Sequence, residues 1–353
     1  MPLTIVAFVV IFSIVVFVHE LGHFAVAKLA GVRVEEFGFG YPPRLLRIAK
    51  RGDTEYTINA IPIGGFVRVT GENDPADPNS LARRSPWLRG AFLVAGPVMN
   101  VVLAAILFAL SFMLGVFTPV QGTGVGVYAV ATGSPAERAG LQTGDTIVTV
   151  NGKPIGSVQD LQAVVNANLD REVTLGVNRD GKPLPQPIKL VPRSSHPENE
   201  GAMGIATGDP LQRVSYPLGQ ALWLGLSRTL WTALSIIGGL VEMVRGQIAP
   251  DLTGPIGIAQ MTAQIVKTGF VQLIEWTAFL SINLFIINLL PIPALDGGRL
   301  VFVVLEILRG GRRVDPQKEG FVHLVGIVLL LGLFVVISYF DVVRLVQGRM
   351  PGP

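Results

Sequence analysis

The stretch Val18-His-Glu-Leu-Gly-His-Phe24 decides how this chain is read. It sets two histidines four residues apart, with a glutamate beside the first, at the inner end of an apolar run that reaches back to Leu3. On a helix, residues i and i+4 share a face, so the imidazoles of His19 and His23 can reach a single ion. Glu20 projects about a third of a turn round from His19, where it can take a proton from a water held by that ion. H-E-x-x-H on a helix is the zinc-hydrolase pattern. Two histidines and a glutamate among Val, Ile, Phe, Leu and Ala are costly in hydrocarbon and require a partner or a function. The competing reading makes the histidines polar links between helices, a role that needs neither this spacing nor the adjacent carboxylate.

The chain of 353 residues is 50% hydrophobic and 15% charged, with a mean hydropathy of +0.52. That is too apolar for a soluble globule and too charged for a chain wholly in the bilayer, so a membrane protein with an aqueous part is expected. Cysteine is absent, which excludes disulfides and thiolate metal sites. The histidines are His19, His23, His196 and His323, so a third ligand to an ion on the first two is expected to be a carboxylate. Lys and Arg exceed Asp and Glu only by 28 to 25, which gives no reason to expect nucleic acid as a partner.

The placement of basic residues reports topology. Arg33, Arg44, Arg47, Lys50, Arg51, Arg68, Arg83, Arg84 and Arg89 lie between the first two apolar segments, so the positive-inside rule makes that stretch cytoplasmic and the N-terminus outside. The opening run has no basic n-region and no small-residue cleavage site before His19, and reads as a retained anchor.

Residues 1–30 are the first expected transmembrane helix, with His19 about 25 Å from its start and close to the cytoplasmic edge of a core about 30 Å thick. Residues 31–90 alternate in short runs broken by glycine and read as a cytoplasmic or re-entrant β-meander, turning at Arg51-Gly52-Asp53, followed by a polar loop from Glu72 to Arg89. An edge of this meander at Gly64, Gly65 and Phe66 is expected to dip toward the site and hold an extended peptide by strand addition. The alternative is a sheet without a role. Residues 91–118 are the second span, in which Asn100 is either a polar link between helices or a group lining the site.

Hydropathy falls over residues 119–208. Ser134 to Gly152, SPAERAGLQTGDTIVTVNG, resembles a PDZ domain of the circularly permuted bacterial type, an inserted α+β module. It is read either as a peptide binder or as a steric obstacle to large substrates; a carboxylate ligand would go to the amides of Gly201, Ala202, Met203, Gly204 and Ile205. Residues 209–271 are expected to be membrane-associated and amphipathic, because Arg228 and Glu242 interrupt the apolar run and its tryptophans suit an interface. Residues 272–294 form a third span leading into LDGG, 295–320 a basic cytoplasmic loop, and 321–346 a fourth span that leaves the C-terminus outside. The third span runs parallel to the first, so Asp296 falls at the depth of His19 and His23 and can be the third ligand, leaving one position for water. His323 reads as interfacial rather than as a ligand.

HELGH in the first span, a PDZ domain between the second and third, and NLLPIPALDGG in the third together resemble the site-2 proteases (peptidase family M50), of the regulator-of-sigma-E protease type. GPVMN at Gly96–Asn100 and GPIG at Gly254–Gly257 extend the resemblance over nearly the whole chain. It implies one catalytic zinc on His19, His23 and Asp296, Glu20 as acid/base, and Asn288 holding substrate. It implies single-span substrates in the bilayer of a bacterial cell membrane, such as trimmed anti-sigma factors or remnant signal peptides. Only one PDZ domain fits here. The expectation is therefore a multi-pass α-helical membrane protein with four transmembrane helices that acts as a zinc endopeptidase. The competing classes are an idle scaffold presenting its PDZ domain and a transporter, and no internal repeat supports the latter.

Overall fold

The computed structural model describes residues 2–71, 79–120, 124–179, 181–197, 200–248 and 253–347. Residues 72–78 of the expected polar loop lie outside the described residues. The chain divides into two units, one made of Met1–Leu114 with Tyr216–Pro353, the other of Gly115–Ser215.

The first unit begins with helix α1 (Pro2–Leu29), strands β1 (Val34–Arg51) and β2 (Thr54–Val69) and helix α2 (Pro86–Leu114). The two strands pair across the expected turn, Arg51 opposite Thr54, with Gly52 at φ +59° supplying the left-handed residue. β1 is used twice. Phe37 lies opposite Val67 on one side and Tyr56 on the other, so Glu36–Phe39 run between two stretches of β2 and Gly64–Val69 form an edge. Near the turn, Arg47 and Arg44 bond the Glu55 carboxylate and hold it below its ordinary pKa.

α2 begins earlier than expected. Pro86 is pre-organised for the first helical position, and Ser85 Oγ accepts the Leu88 N–H, so the helix takes in the end of the presumed loop. It also ends sooner, at Gly115 with φ +102°. Arg89, which the charge pattern assigns to the loop, is buried and bonds Glu306 at 2.5 Å, with Arg313 Nε 3.5 Å from the same carboxylate.

The second unit contains β3 (Val116–Pro119), β4 (Val125–Val130), α3 (Pro135–Arg138), β5 (Thr146–Val150), β6 (Lys153–Pro154), α4 (Val158–Asn166), β7 (Val173–Arg179), β8 (Lys182–Pro183), β9 (Ile188–Leu190), β10 (Ile205–Gly208) and β11 (Leu211–Val214). Its main sheet has the order β10-β4-β5-β7-β8, and a separate ribbon pairs β3 with β11. Val173, Leu175 and Val177 alternate into a core with Ile147, Val150 and Leu161. Ser134 and Ser157 cap α3 and α4, and Arg179 bonds buried Asp145.

The first unit resumes with α5 (Leu218–Val244), α6 (Pro255–Thr268), α7 (Phe270–Leu289), α8 (Asp296–Leu308) and α9 (Pro316–Val346). Residues 209–271, expected to be membrane-associated and amphipathic, contain a continuous 27-residue helix on which Arg228 and Glu242 are exposed and can reach water. Among the described residues five helices, α1, α2, α5, α7 and α9, are long and apolar enough to cross a membrane, where four spans were expected. The expected loop 295–320 contains α8, formed by the amphipathic run RLVFVVLEIL.

Contacts fix the helix directions. His19 meets Asn100 and His23 meets Phe92, so α1 and α2 are antiparallel; Glu275 meets Ser111 and Ser281 meets Asn100, so α7 is antiparallel to α2 as well. α1 and α7 therefore run the same way. α5 packs on α2 where Gly225 lies against the Ala105 carbonyl and Ala109. Buried Asp341 of α9 accepts from the N–H groups of Gly254 and Gly257, capping α6.

Removing that cap has a measurable cost. Asp341→Leu is expected to destabilise the detergent-solubilised protein by about 1–3 kcal/mol, a fall of several degrees in thermal midpoint. Gly257→Ala should act in the same direction, because its Cβ would meet Thr253 Cγ2 at 2.5 Å. Gly332→Ala, with nothing within 4 Å, should not lower the midpoint. An unchanged midpoint for Asp341→Leu would show that the cap carries no stability.

Candidate metal centre

His19 Nε2, His23 Nε2 and Asp296 Oδ2 point at one another. The pairs are 3.1 Å (His19 to His23), 3.0 Å (His19 to Asp296) and 3.4 Å (His23 to Asp296). Tetrahedral zinc with bonds of about 2.0 Å has ligand-to-ligand edges of roughly 3.3 Å, so the donor set has the size of one face of such a site. His23 Nδ1 donates to the Phe92 carbonyl at 2.8 Å, which fixes its tautomer and leaves Nε2 as a lone-pair donor. Gly96 of α2 closes the floor. A Cβ there would fall onto His23 Nε2 and lie 2.7 Å from His19 Nε2, in the space an ion needs. The residues present fit one divalent cation.

Local sequence explains the approach. Gly22, inside HELGH, lets α1 lie directly on the α2 backbone, since a Cβ would meet the Ala95 carbonyl carbon at 2.7 Å. At the other side, Pro291 pushes Leu290 out of helical geometry to φ −62° and ψ 143°, which ends α7. Ala294 then takes φ +82°, and the turn folds back so closely that Gly297 and Gly298 have no room for a Cβ against the Leu289, Leu290 and Ile292 backbone. His323 Nδ1 accepts the Ala294 N–H at 2.9 Å and holds this turn. Asp296 follows as the first residue of α8.

A cavity of about 370 Å³ opens beside the three donors, lined by Glu20, Tyr41, Phe66, Val67, Asn288 and Arg299 among others. Glu20 Oε2 accepts the outward N–H of Val67 at 3.2 Å, so the β2 edge borders the cavity. Ser13 ties the strand to α1 by donating to the Pro62 carbonyl and accepting from the Gly64 N–H. Gly64, at φ +70°, and Gly65 pack on Val16 and Phe17 of α1 without space for side chains.

The structure thus brings His19, His23, Asp296, Glu20, Asn288 and Phe66 to one cavity, with Gly64 and Gly65 in the strand beside it. Gly201, Ala202, Met203, Gly204 and Ile205 belong to the second unit and form a separate turn leading into β10. There the Gly204 N–H is used by the Gly201 carbonyl and Met203 is buried in the core. Sequence reasoning missed Gly96, Ser13, Arg299 and the buttress His323. The hydroxyl of Ser13 in an apolar run was the signal available for one of them.

A model of peptidase family M50 matches residues 7–333. The chain belongs to that family. Among its relatives, a protein named as a putative zinc metalloprotease from Clostridium acetobutylicum is 36% identical over 96% of this chain and 97% of its own length. The zinc metalloprotease RasP of Oceanobacillus iheyensis is 33% identical (97% and 99%), and the regulator of sigma-W protease RasP of Bacillus subtilis 31% identical (97% and 99%). The chain is a metalloendopeptidase of the site-2 protease family and an integral membrane protein.

Metal content tests the centre. Purified wild-type protein is expected to hold about one divalent ion per chain, and His23→Ala and Asp296→Ala less than about a tenth of that, by elemental analysis after dialysis against weak chelator. Wild-type metal content in Asp296→Ala would remove that residue from the ligand set.

Proposed function

We propose that this protein hydrolyses a peptide bond in the membrane-embedded segment of single-span proteins, with His19, His23 and Asp296 holding one zinc ion and Glu20 as acid/base. The observation that carries the reading is the convergence of those three donors beside Glu20, a polar cavity and the β2 edge strand. Zinc, when bound, supplies a Lewis acid that acidifies water and polarises a carbonyl. Glu20 takes one proton from the attacking water and returns it to the departing amine nitrogen, while the oxygen joins the carbonyl carbon.

A transmembrane substrate arrives with its peptide bonds wrapped in a helix and has to be unwound. The edge at Gly64, Gly65 and Phe66 takes the unwound stretch as an added strand, and Asn288 bonds its freed backbone. An added strand competes for the Val67 N–H, which frees Glu20 to face water.

The same reading gives four spans, α1, α2, α7 and α9, with the termini outside and the centre near the cytoplasmic face of a bacterial cell membrane. Parity supports it. α1 and α7 run the same way, so the chain after α2 has to start α7 from the side on which α2 ends. α5 is the only helix between them, among the described residues, that is long enough to cross, and the 14 residues of α6 span only about 21 Å. α5 therefore lies against the bundle without a net crossing.

Residues 119–208 are read as one PDZ domain, with β10, the end of its sheet order, as the strand to which a peptide adds and Gly201–Ile205 as its terminal turn. The name of the Bacillus subtilis relative supports a regulatory membrane protein as substrate, such as a trimmed anti-sigma factor; remnant signal peptides have the same single-span chemistry. In liposomes, Glu20→Gln is expected to keep its zinc and to cut a single-span reporter about 10³-fold more slowly than wild type. Cleavage at the wild-type rate would take the acid/base role from Glu20, and a zinc-free wild type would return the scaffold reading.

A further inference from the structure

Asn100 is fully buried on α2, one turn beyond Gly96, with its amide nitrogen 3.1 Å from His19 Nδ1. Its main-chain carbonyl accepts the Ser281 hydroxyl at 2.9 Å, so α7 holds this part of α2 in place through the backbone and leaves the side chain for the ring. Among the described residues that is the one hydrogen bond of the amide, and its Oδ1 is buried without a partner. A residue kept only to join helices would satisfy both ends of its amide, because an orphaned buried oxygen costs stability. Asn100 accepts this cost for a single ring nitrogen.

The chemistry of that nitrogen follows from the other. A cation on His19 requires a lone pair at Nε2, so the ring proton sits on Nδ1 and needs an acceptor. His23 has such an acceptor in the Phe92 carbonyl, which can only accept. His19 has no carbonyl in that position and faces Asn100 instead. An amide presents oxygen or nitrogen by turning about one bond, with no change in shape. With nitrogen toward the ring it serves the form in which Nε2–H donates to Asp296; turned over, Oδ1 accepts from Nδ1–H and Nε2 is left bare for the ion.

We propose that Asn100 is a positioning residue for the metal centre, presenting Oδ1 to His19 Nδ1–H in the loaded enzyme and so setting the tautomer and ring orientation of that ligand. This rests on the reading of His19 as a zinc ligand. With Gly96, which leaves the ion its space, Asn100 makes the GPVMN segment of α2 the wall of the site that contributes no ligand of its own.

The test compares zinc release to a chelator, and the visible spectrum of the cobalt-substituted protein, for wild type, Asn100→Leu and Asn100→Asp. Leu keeps the branched skeleton and removes the acceptor; Asp keeps it. The expected result is that Asn100→Leu loses zinc 10- to 100-fold faster and shows an altered cobalt spectrum. Asn100→Asp should hold zinc at least as firmly as wild type. A purely structural role predicts the opposite order, because a buried carboxylate disturbs packing more than leucine does. Wild-type zinc release from Asn100→Leu would overturn the proposal; if that variant does not fold, release from Asn100→Asp ten times faster than wild type would do the same. A wild type that holds no zinc would instead sink the metal-site reading beneath it.

Discussion

Two imidazole nitrogens and a carboxylate oxygen within 3.0–3.4 Å of each other repel unless a proton or a cation lies between them, and the repulsion grows as water is removed. His19 and Asp296 are 277 residues apart in the chain. Nothing local brings them together, so the surrounding bundle has to. Gly22 and Gly96 draw α1 and α2 together at the histidines, while Gly297, Gly298 and His323 fold the α7–α8 turn tightly enough to put Asp296 opposite. The close packing of this region offsets an electrostatic cost that would be prohibitive if the site were built only to stabilise the fold.

Irregular backbone within an apolar bundle creates a second constraint, because each unpaired N–H or carbonyl there costs as much as a lost hydrogen bond. The polar side chains scattered through the apolar helices answer it in pairs. Ser13 serves Pro62 and Gly64 where β2 enters, Glu20 accepts from Val67 at the strand edge, His323 accepts from Ala294 in the turn, and Asp341 accepts from Gly254 and Gly257 at the start of α6. Read singly, Ser13 or Asp341 is an anomaly in a hydrophobic segment. Together they mark where the chain leaves helical geometry inside the bundle.

Much of this was legible in the sequence and some was not, for physical reasons. HELGH carries its chemistry in its spacing, and LDGG acquires meaning from helix direction, so residues that the resemblance groups together do meet at one cavity. The meander was readable because glycines and alternation are local signals. The start of α2 is hidden because Ser85, Arg84 and Arg89 make its first turn look like part of the polar loop although Pro86 is an N1 residue, and α8 because a 13-residue amphipathic helix among basic residues looks like a loop. α5 is ambiguous in the sequence because Arg228 and Glu242 interrupt its apolar run, and length and composition alone also allow it to cross.

Helix packing was the part least available, and the reason lies in the solvent. Between apolar helices in lipid there is no hydrophobic gain from turning a leucine inward, so large apolar side chains do not mark the inner face: the buried positions of α5 are Ala221, Gly225 and Thr229, while Trp223, Leu230 and Trp231 are exposed. What distinguishes them is closeness of backbone approach. Gly22, Gly96, Gly225, Gly257 and Gly326 each have atoms of another element or chain segment where a Cβ would stand, whereas Gly219, Gly238, Gly239 and Gly332 have nothing within 4 Å. Glycine counts in a span are therefore ambiguous, but glycine positions relative to the polar residues are not. Gly22 lies between the two histidines, Gly96 one turn before Asn100, Gly297 directly after Asp296 and Gly326 three after His323. In each case the small residue brings a second backbone within reach of a polar side chain that would otherwise face hydrocarbon, and that pairing marks the functional interface of the bundle.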